Sequence, residues 1–325
     1  MRLLVLCLGV LLLAGCDTKQ PPTTTYEIAV VPKGTTHEFW KSIHAGAVKA
    51  ERELDAQGIA THVIWQGPLK EDDRDAQIQV VENFVTRHVS GIVLAPLDAR
   101  ALVRPVESAL AAGVPVVIID SGLEHETASF VATDNYQGGV IAARHMSELL
   151  GGKGRVVLLR YAVGSASTEQ REKGFMEELA KTAMEVISDT EYAGATRDTA
   201  YRTSQALLNR FGDQVDGIFC VNESSTIGMT LALREIGKAA GNVKMIGFDA
   251  GTQSIEDLTN GDLQALVVQN PMRMGYEGVL TVVRAIRGEA VEKHVDTGVV
   301  LVTKENMESA DVKPLLHPPL AEYLD

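Results

Sequence analysis

From residue 27 onward, short runs rich in β-branched residues alternate with longer amphipathic stretches, and this alternation is the strongest constraint on how the chain folds. The runs are YEIAVV, THVIW, SGIVLAP, VPVVIID, GRVVLLRY, MEVISDTEY, DGIFCVN, VKMIGFD and LQALVVQN. Helical periodicity fills the gaps, over residues 36–56, 71–88, 99–112, 136–150, 168–182, 198–211, 224–237 and 271–287. Repeated strand-helix units place successive strands parallel in a sheet with helices on both faces. Roughly 300 residues are more than one core of ordinary size needs, so the runs are expected to divide between two doubly wound α/β domains. A short strand in ASFVATDNYQGG, running into a Gly-rich helix start, marks the first passage from one to the other. Ligands of open parallel sheets bind beyond the carboxyl ends of the strands, so two such domains facing each other enclose a cleft. Polar and aromatic residues just after strands are therefore the candidates for function.

Ahead of the body, Arg2 precedes an uninterrupted apolar stretch from Leu3 to Leu13, followed by Ala14, Gly15 and Cys16, the layout of an export signal. The stretch is shorter than the roughly 20 apolar residues that a membrane-spanning helix requires, and no later segment approaches that length. Leu-Ala-Gly-Cys resembles the bacterial lipobox. That resemblance implies a signal peptide over residues 1–15 and a lipid-modified Cys16 that anchors the protein to a membrane, in the periplasm or at the cell surface. Asp17 then implies retention in the inner membrane under the enterobacterial sorting rule. DTKQPPTTT has the composition of a flexible tether, covering residues 16–26 with the lipidated cysteine. Cys7 lies in the signal, which leaves Cys220, inside IFCVN, as a small buried hydrophobe without a disulfide partner. The formal charge is −13; without the signal, 29 basic residues face 43 acidic ones. That balance argues against nucleic acid and against a polybasic grip on anionic lipid.

The segment PKGTTHEFWKS follows the first strand. Thr35 and Glu38 have the S/T-x-x-E spacing of a capping box, which predicts the start of a helix. Phe39 and Trp40 flank its apolar stripe at the first turn; they serve either as core or as a flat surface at the cleft mouth for the C–H face of a sugar. His37 and Glu38 begin an HExxH pattern that fails at Lys41, and His44 brings no third ligand, so no metal is expected. Asp120 ends VPVVIID and Asp249 ends VKMIGFD, directly after Phe248. Carboxylates at equivalent strand ends suit three roles: a general acid and base, acceptors for vicinal hydroxyls, or helix caps. Asn222 and Gln269 also end strands, and an amide offers a hydroxyl both a donor and an acceptor. No GxSxG elbow is present, and GGKG at 151–154 lacks the phosphate-loop spacing.

The segments IAVVPKGTTHEFWKSIHAGA, GIVLAPLDA, GVPVVIIDS, ATDNYQGG, REKGF, FCVNESSTIGM, IGFDAG and VVQNP stand in the order and spacing of a known family. From about Glu27 to Thr303 the chain resembles a periplasmic sugar-binding protein of the ribose-binding type, the solute-binding component of an ABC importer. The resemblance implies two similar α/β domains joined by three crossings (periplasmic binding protein type I), residues 27–133 with 270–296 in one and 134–269 with 297–325 in the other. It implies sugar contacts at His37, Phe39, Trp40, Asp120, Asn222, Phe248, Asp249 and Gln269, with no cofactor. Two arginines of the ribose-binding pattern are missing. Ser121 stands where one follows the acid, and Glu169 where the other precedes REKGF; both are expected among the ligand contacts, Glu169 as a replacement acceptor for a hydroxyl. Arg171 is expected in a structural role.

These readings favour a lipid-anchored, monomeric binding protein that captures a monosaccharide or related polyol in the cleft and delivers it to an ABC permease. The alternatives are a receptor presenting its sugar to a sensor kinase or chemoreceptor and, less favoured, a glycosidase using Asp120 and Asp249. A sugar-responsive repressor of the same fold would begin with a helix-turn-helix where this chain has its export signal.

Overall fold

The computed structural model describes residues 25–324; the expected signal, Cys16 and most of the tether lie outside the described residues. Strands β1 (Tyr26–Val31), β2 (Thr61–Trp65), β3 (Gly91–Leu94), β4 (Val116–Ile119) and β5 (Ser129–Ala132) form a first parallel sheet, and β6 (Lys153–Leu159), β7 (Ala183–Ser188), β8 (Gly217–Cys220), β9 (Lys244–Phe248) and β10 (Ala265–Gln269) a second. Each gains a sixth strand from the end of the chain. β11 (His294–Asp296) joins the first sheet beside β5, and β12 (Val299–Val302) joins the second, antiparallel to β10. The spatial orders are β11-β5-β4-β3-β1-β2 and β12-β10-β9-β8-β6-β7. Three crossings join the two α/β domains, after β5, after β10 and between β11 and β12. Central strands such as GIVL and VVII are buried along their whole length, which is why they appear as unbroken apolar runs.

Helices α1 (Glu38–Ala56), α2 (Arg74–Thr86), α3 (Val103–Ala111), α4 (Asn135–Leu150), α5 (Ala166–Leu179), α6 (Arg197–Phe211), α7 (Glu223–Glu235), α8 (Thr252–Asn260) and α9 (Pro271–Ile286) cover both faces of the sheets. Asp73, Asp134, Asn222 and Asn270 cap α2, α4, α7 and α9 with their side chains. Side-chain-free contacts bring one helix pair together in each domain. A Cβ on Gly46 of α1 or Gly275 of α9 would strike the backbone of the other helix, and the same reciprocity joins Gly139 of α4 and Gly174 of α5.

The expected capping box does not form. His37 occupies the N-cap of α1 without a side-chain bond to the helix, Thr35 reaches the Pro68 carbonyl, and Glu38 is the first helical residue, two positions short of the place that closes the box. Helix α8 and strands β11 and β12 have no counterpart among the sequence-predicted elements. After β12 the chain returns to the second domain's core through Met307, Val312 and Leu316, with α10 (Lys313–Leu316). Its end then rests on the first domain, where Arg52 of α1 donates to the Glu322 carbonyl at 2.7 Å and lies over the Tyr323 ring. Among the described residues, no helix is long and apolar enough to cross a membrane.

Candidate functional site

The two strand-end aspartates are built alike. Asp120 and Asp249 have φ of 61° and 70°, a left-handed conformation that costs most residues energy and that Asp tolerates. In each, the backbone N–H is held by the neighbouring strand, Asp120 by the Val131 carbonyl and Asp249 by the Val267 carbonyl. The turn aims both carboxylates between the domains.

Around them lies a narrow cavity of about 30 Å³, room for no more than a few water molecules and well below the roughly 300 Å³ of an open ligand site, because the facing side chains bond to one another across it. Its walls carry four carboxylates, each with a cation beside it. Asp120 Oδ2 is 3.1 Å from Lys33 Nζ, and Asp249 Oδ2 is 3.9 Å from Arg171 Nη1. Glu71 Oε1 is 2.6 Å from His37 Nδ1, and Glu223 Oε1 is 3.0 Å from Arg197 Nη2. The cavity is thus compensated charge for charge, although every one of these carboxylates is buried. A larger groove, of about 480 Å³, runs between α1, the start of α9 and the C-terminal segment. It lacks such converging buried charges, so the smaller cavity is the candidate site.

Glu71, in the loop after β2, accepts three bonds of 2.6 Å: from His37 and from Trp40 Nε1 within its own domain, and from the Tyr161 hydroxyl across the cleft. Burial opposes ionisation of both members of the acid-imidazole pair. The mutual attraction outweighs it, so His37 is lifted to about 9, while Glu71, helped by Tyr161 and Trp40, falls to about 2. Burial and then Glu71 hold the Tyr161 phenol well above its usual range, so it remains a donor. At Asp249 burial wins. Its carboxyl is pushed up to about 6 against the pull of Arg171 and of the 2.6 Å bond from Gln269 Nε2.

Of the sequence-predicted site residues, His37, Phe39, Trp40, Asp120, Asn222, Asp249 and Gln269 line this cavity. Trp40 does so by an edge, because it is 2 % exposed and packed into the first domain's core; Phe39, half-buried and edge-on to it, is the ring left to the ligand. Asn222 caps α7 through Oδ1 while its Nδ2 meets Ser224 Oγ. Three predicted contacts stand elsewhere. Phe248 is wholly buried, forming a platform 3.8 Å beneath the Arg171 guanidinium. Ser121 faces the opposite domain, accepting a bond from the Ser167 N–H. Glu169 is exposed on the first turn of α5, with its carboxylate turned back to the Gly164 N–H. Arg171, expected to be structural, is both: it ties Asn135 to the Val221 carbonyl and forms part of the cavity wall.

Sequence reasoning missed Lys33, Glu71, Tyr161 and Glu223. Lys33, Glu71 and Tyr161 follow β1, β2 and β6, so the strand-end rule that finds Asp120 and Asp249 reaches them when applied to every strand. The cleft is also bridged directly. Lys33 donates to Ser165 and Ser167, Phe39 N–H to Glu223, Ala99 N–H to the Gly164 carbonyl, and Thr252 N–H and hydroxyl to Glu38. Among the described residues, no group of three His, Cys, Asp or Glu side chains is placed to hold a metal ion.

Comparison with known proteins gives this geometry its context. The chain is 27 % identical over 281 residues to the ribose import binding protein of Escherichia coli (strain K12), covering 86 % of this chain and 90 % of that one. Its fold is similar to a solute-binding protein of an ABC transporter from Agrobacterium vitis with bound D-fucose, at a TM-score of 0.84 and 36 % identity, covering 90 % of this chain and all of the other. A carbohydrate transporter solute-binding protein from Agrobacterium radiobacter, in complex with D-arabinose, superposes with a TM-score of 0.83 at 34 % identity, over 90 % and 99 % of the two chains. Such relatives bind solutes for importers and are not enzymes, which removes the glycosidase reading of Asp120 and Asp249. Residues 28–290 match the periplasmic binding protein domain, and with these relatives and two parallel-sheet α/β domains the chain belongs to that family, as a sugar-binding, solute-binding protein of an ABC transporter.

Proposed function

We propose that the protein captures one uncharged monosaccharide of pentose or deoxyhexose size in the cavity between its domains and delivers it to an ABC permease, tethered to the membrane through a lipid on Cys16. The charge-compensated cavity carries this reading: four buried carboxylates, each paired with a cation, leave no net charge to attract an ionised solute. What it offers is hydrogen bonding. Asp120 Oδ2, which has the Lys33 ammonium beside it as a counter-charge but accepts no hydrogen bond, and Gln269 Oε1 are buried acceptors, and hydroxyl groups are the donors that satisfy them. His37, Phe39, Asp120, Asn222, Asp249 and Gln269 are the ligand contacts in this reading, with the body divided as 27–133 plus 270–296 and 134–269 plus 297–325. Bonds to charged groups contribute about 1.5–3 kcal/mol each, so a few reach the roughly 8 kcal/mol of micromolar binding. D-fucose and D-arabinose, the ligands of the two Agrobacterium proteins, set the size. Lipid attachment is tested by metabolic labelling with a fatty acid, which Cys16→Ala abolishes.

Thermal shift followed by calorimetric titration against pentoses, deoxyhexoses, hexoses, sugar alcohols, uronic acids and sugar phosphates tests the solute class. An uncharged pyranose is expected to bind at micromolar concentration or below. Preference for a uronic acid or a phosphate, or no binding by any sugar, overturns the assignment.

A further inference from the structure

A second, smaller chamber opens beside the main cavity, and Phe39, Glu223, Asp249 and Gln269 line both. Its far side is apolar, formed by Ala250, Val268 and Pro271 together with Leu315, which comes from the C-terminal segment beyond the matched family region. The polar atoms at its border are almost all in use. Asp249 is held by Gln269 Nε2 and the Glu223 N–H; Glu223 by the Phe39 N–H and Arg197; the Ser42 hydroxyl turns back to the Glu38 carbonyl. Gln269 Oε1 is the exception, 1 % exposed side chain and no partner, at the junction of the two spaces.

We propose that this chamber is a subsite for an apolar substituent on the sugar ring, a methyl group, whose neighbouring hydroxyl donates to Gln269 Oε1. The subsite rests on the monosaccharide reading of the main cavity. With Gln269 Oε1 taken by the neighbouring hydroxyl and the other border side chains already bonded, the chamber gains nothing from a hydroxymethyl group, whose extra hydroxyl would lose water without a free side-chain acceptor. A methyl group loses no hydrogen bond and meets Leu315, Val268 and Pro271. Leu315 makes the specificity a property of the C-terminal segment: the second domain's core holds Val312 and Leu316 on either side of it, and Leu315 is left half-buried against the chamber.

The test is calorimetric titration of the full mature protein with pyranose pairs that differ by one ring methyl: L-arabinose with D-fucose, D-arabinose with L-fucose, and D-xylose with D-quinovose. For the pair of matching stereochemistry, the methyl-bearing member is expected to bind about fourfold more tightly, the worth of one buried methylene. D-galactose, L-galactose and D-glucose serve as the hydroxymethyl partners and are expected to bind more weakly than their deoxy counterparts. Leu315→Ala should bring the methyl preference below about twofold, leaving the Kd of the unmethylated sugar in place, and Leu315→Met should keep the preference. Equal affinities within every pair, or a Leu315→Ala loss shared by both members, overturn the subsite while leaving monosaccharide binding intact. Failure of all these sugars to bind overturns the monosaccharide reading and the subsite with it.

Discussion

Replacing Tyr161 by Phe removes one hydroxyl and leaves every other atom of the side chain in place. Tyr161 follows β6 in the second domain and Glu71 follows β2 in the first, so their 2.6 Å bond exists only while the two loops meet. Glu71 keeps its bonds from His37 and Trp40 whether or not the domains are together, since all three belong to the first domain. A hydrogen bond to an ionised group contributes about 1.5–3 kcal/mol, and each 1.4 kcal/mol is a factor of ten. The closed arrangement therefore loses about 10- to 150-fold in population relative to an open one, and solute affinity, linked to closure, falls by the same factor. Tyr161 also lines the cavity, so a direct contact with the sugar would give a loss of similar size. A double-mutant cycle with Glu71→Gln separates the two. If Tyr161 acts through Glu71, the combined variant binds little worse than Glu71→Gln alone, a coupling of at least about 1 kcal/mol by titration calorimetry. Additive losses, or a Tyr161→Phe dissociation constant within about threefold of the parent, would refute closure through Glu71.

Trp40→Ala should destabilise the ligand-free protein by about 3–5 kcal/mol, because the ring is core and its N–H leaves Glu71 short of a donor; Phe39→Ala should spare the fold and weaken sugar binding about 3- to 10-fold, the worth of an aromatic face, both read by melting and titration. Glu38→Ala removes the carboxylate that caps α8 from the opposite domain, and at this half-buried position it should weaken solute binding about two- to fivefold without lowering the ligand-free melting point. Affinity should also fall with pH. The Asp249 carboxyl is raised to about 6, so its contribution to stability is full below its ordinary value of 3.8 and lost as pH rises through 6. Hydroxyl donors favour the ionised form, so binding releases a proton below pH 6 and weakens there by up to about tenfold per pH unit; calorimetry in buffers of different ionisation enthalpy counts that proton, and an affinity flat from pH 7 to 5 refutes the role of Asp249.

Much of the fold was legible because parallel strands covered on both faces leave unbroken apolar runs, and the helices between them repeat with helical period. What escaped depends on distant partners. β11 is three residues long and β12 four, and their edge places are fixed by β5 and β10, far back in the chain. Helix α8 is nine residues long, and the carboxylate that satisfies its first N–H belongs to Glu38, on the other domain. That same distant bond is why the Thr35–Glu38 capping box was misleading: the glutamate does cap a helix, but not its own.

The site shows a second kind of limit. Asp120 and Asp249 were found because a strand end fixes position, and position was enough. The cations that balance them were not, since balance is a property of space. The arginine that the ribose-binding pattern places after the first acid is Ser121 here. In the folded chain Lys33, from the end of β1, puts its ammonium 3.1 Å from Asp120 instead. A buried carboxylate left alone would hold its proton or destabilise the domain; the requirement for a counter-charge persists even when the residue and strand that supply it change. The replacement alters what the cavity can recognise. A guanidinium presents a planar fork that grips two oxygens at once, whereas an ammonium is a compact charge; Lys33 spends its hydrogen bonds on Ser165 and Ser167 and balances Asp120 by charge alone. Lys33 therefore closes the cleft and leaves Asp120 Oδ2 open, shifting recognition toward ligand hydroxyls that donate and away from a second acceptor-seeking cation.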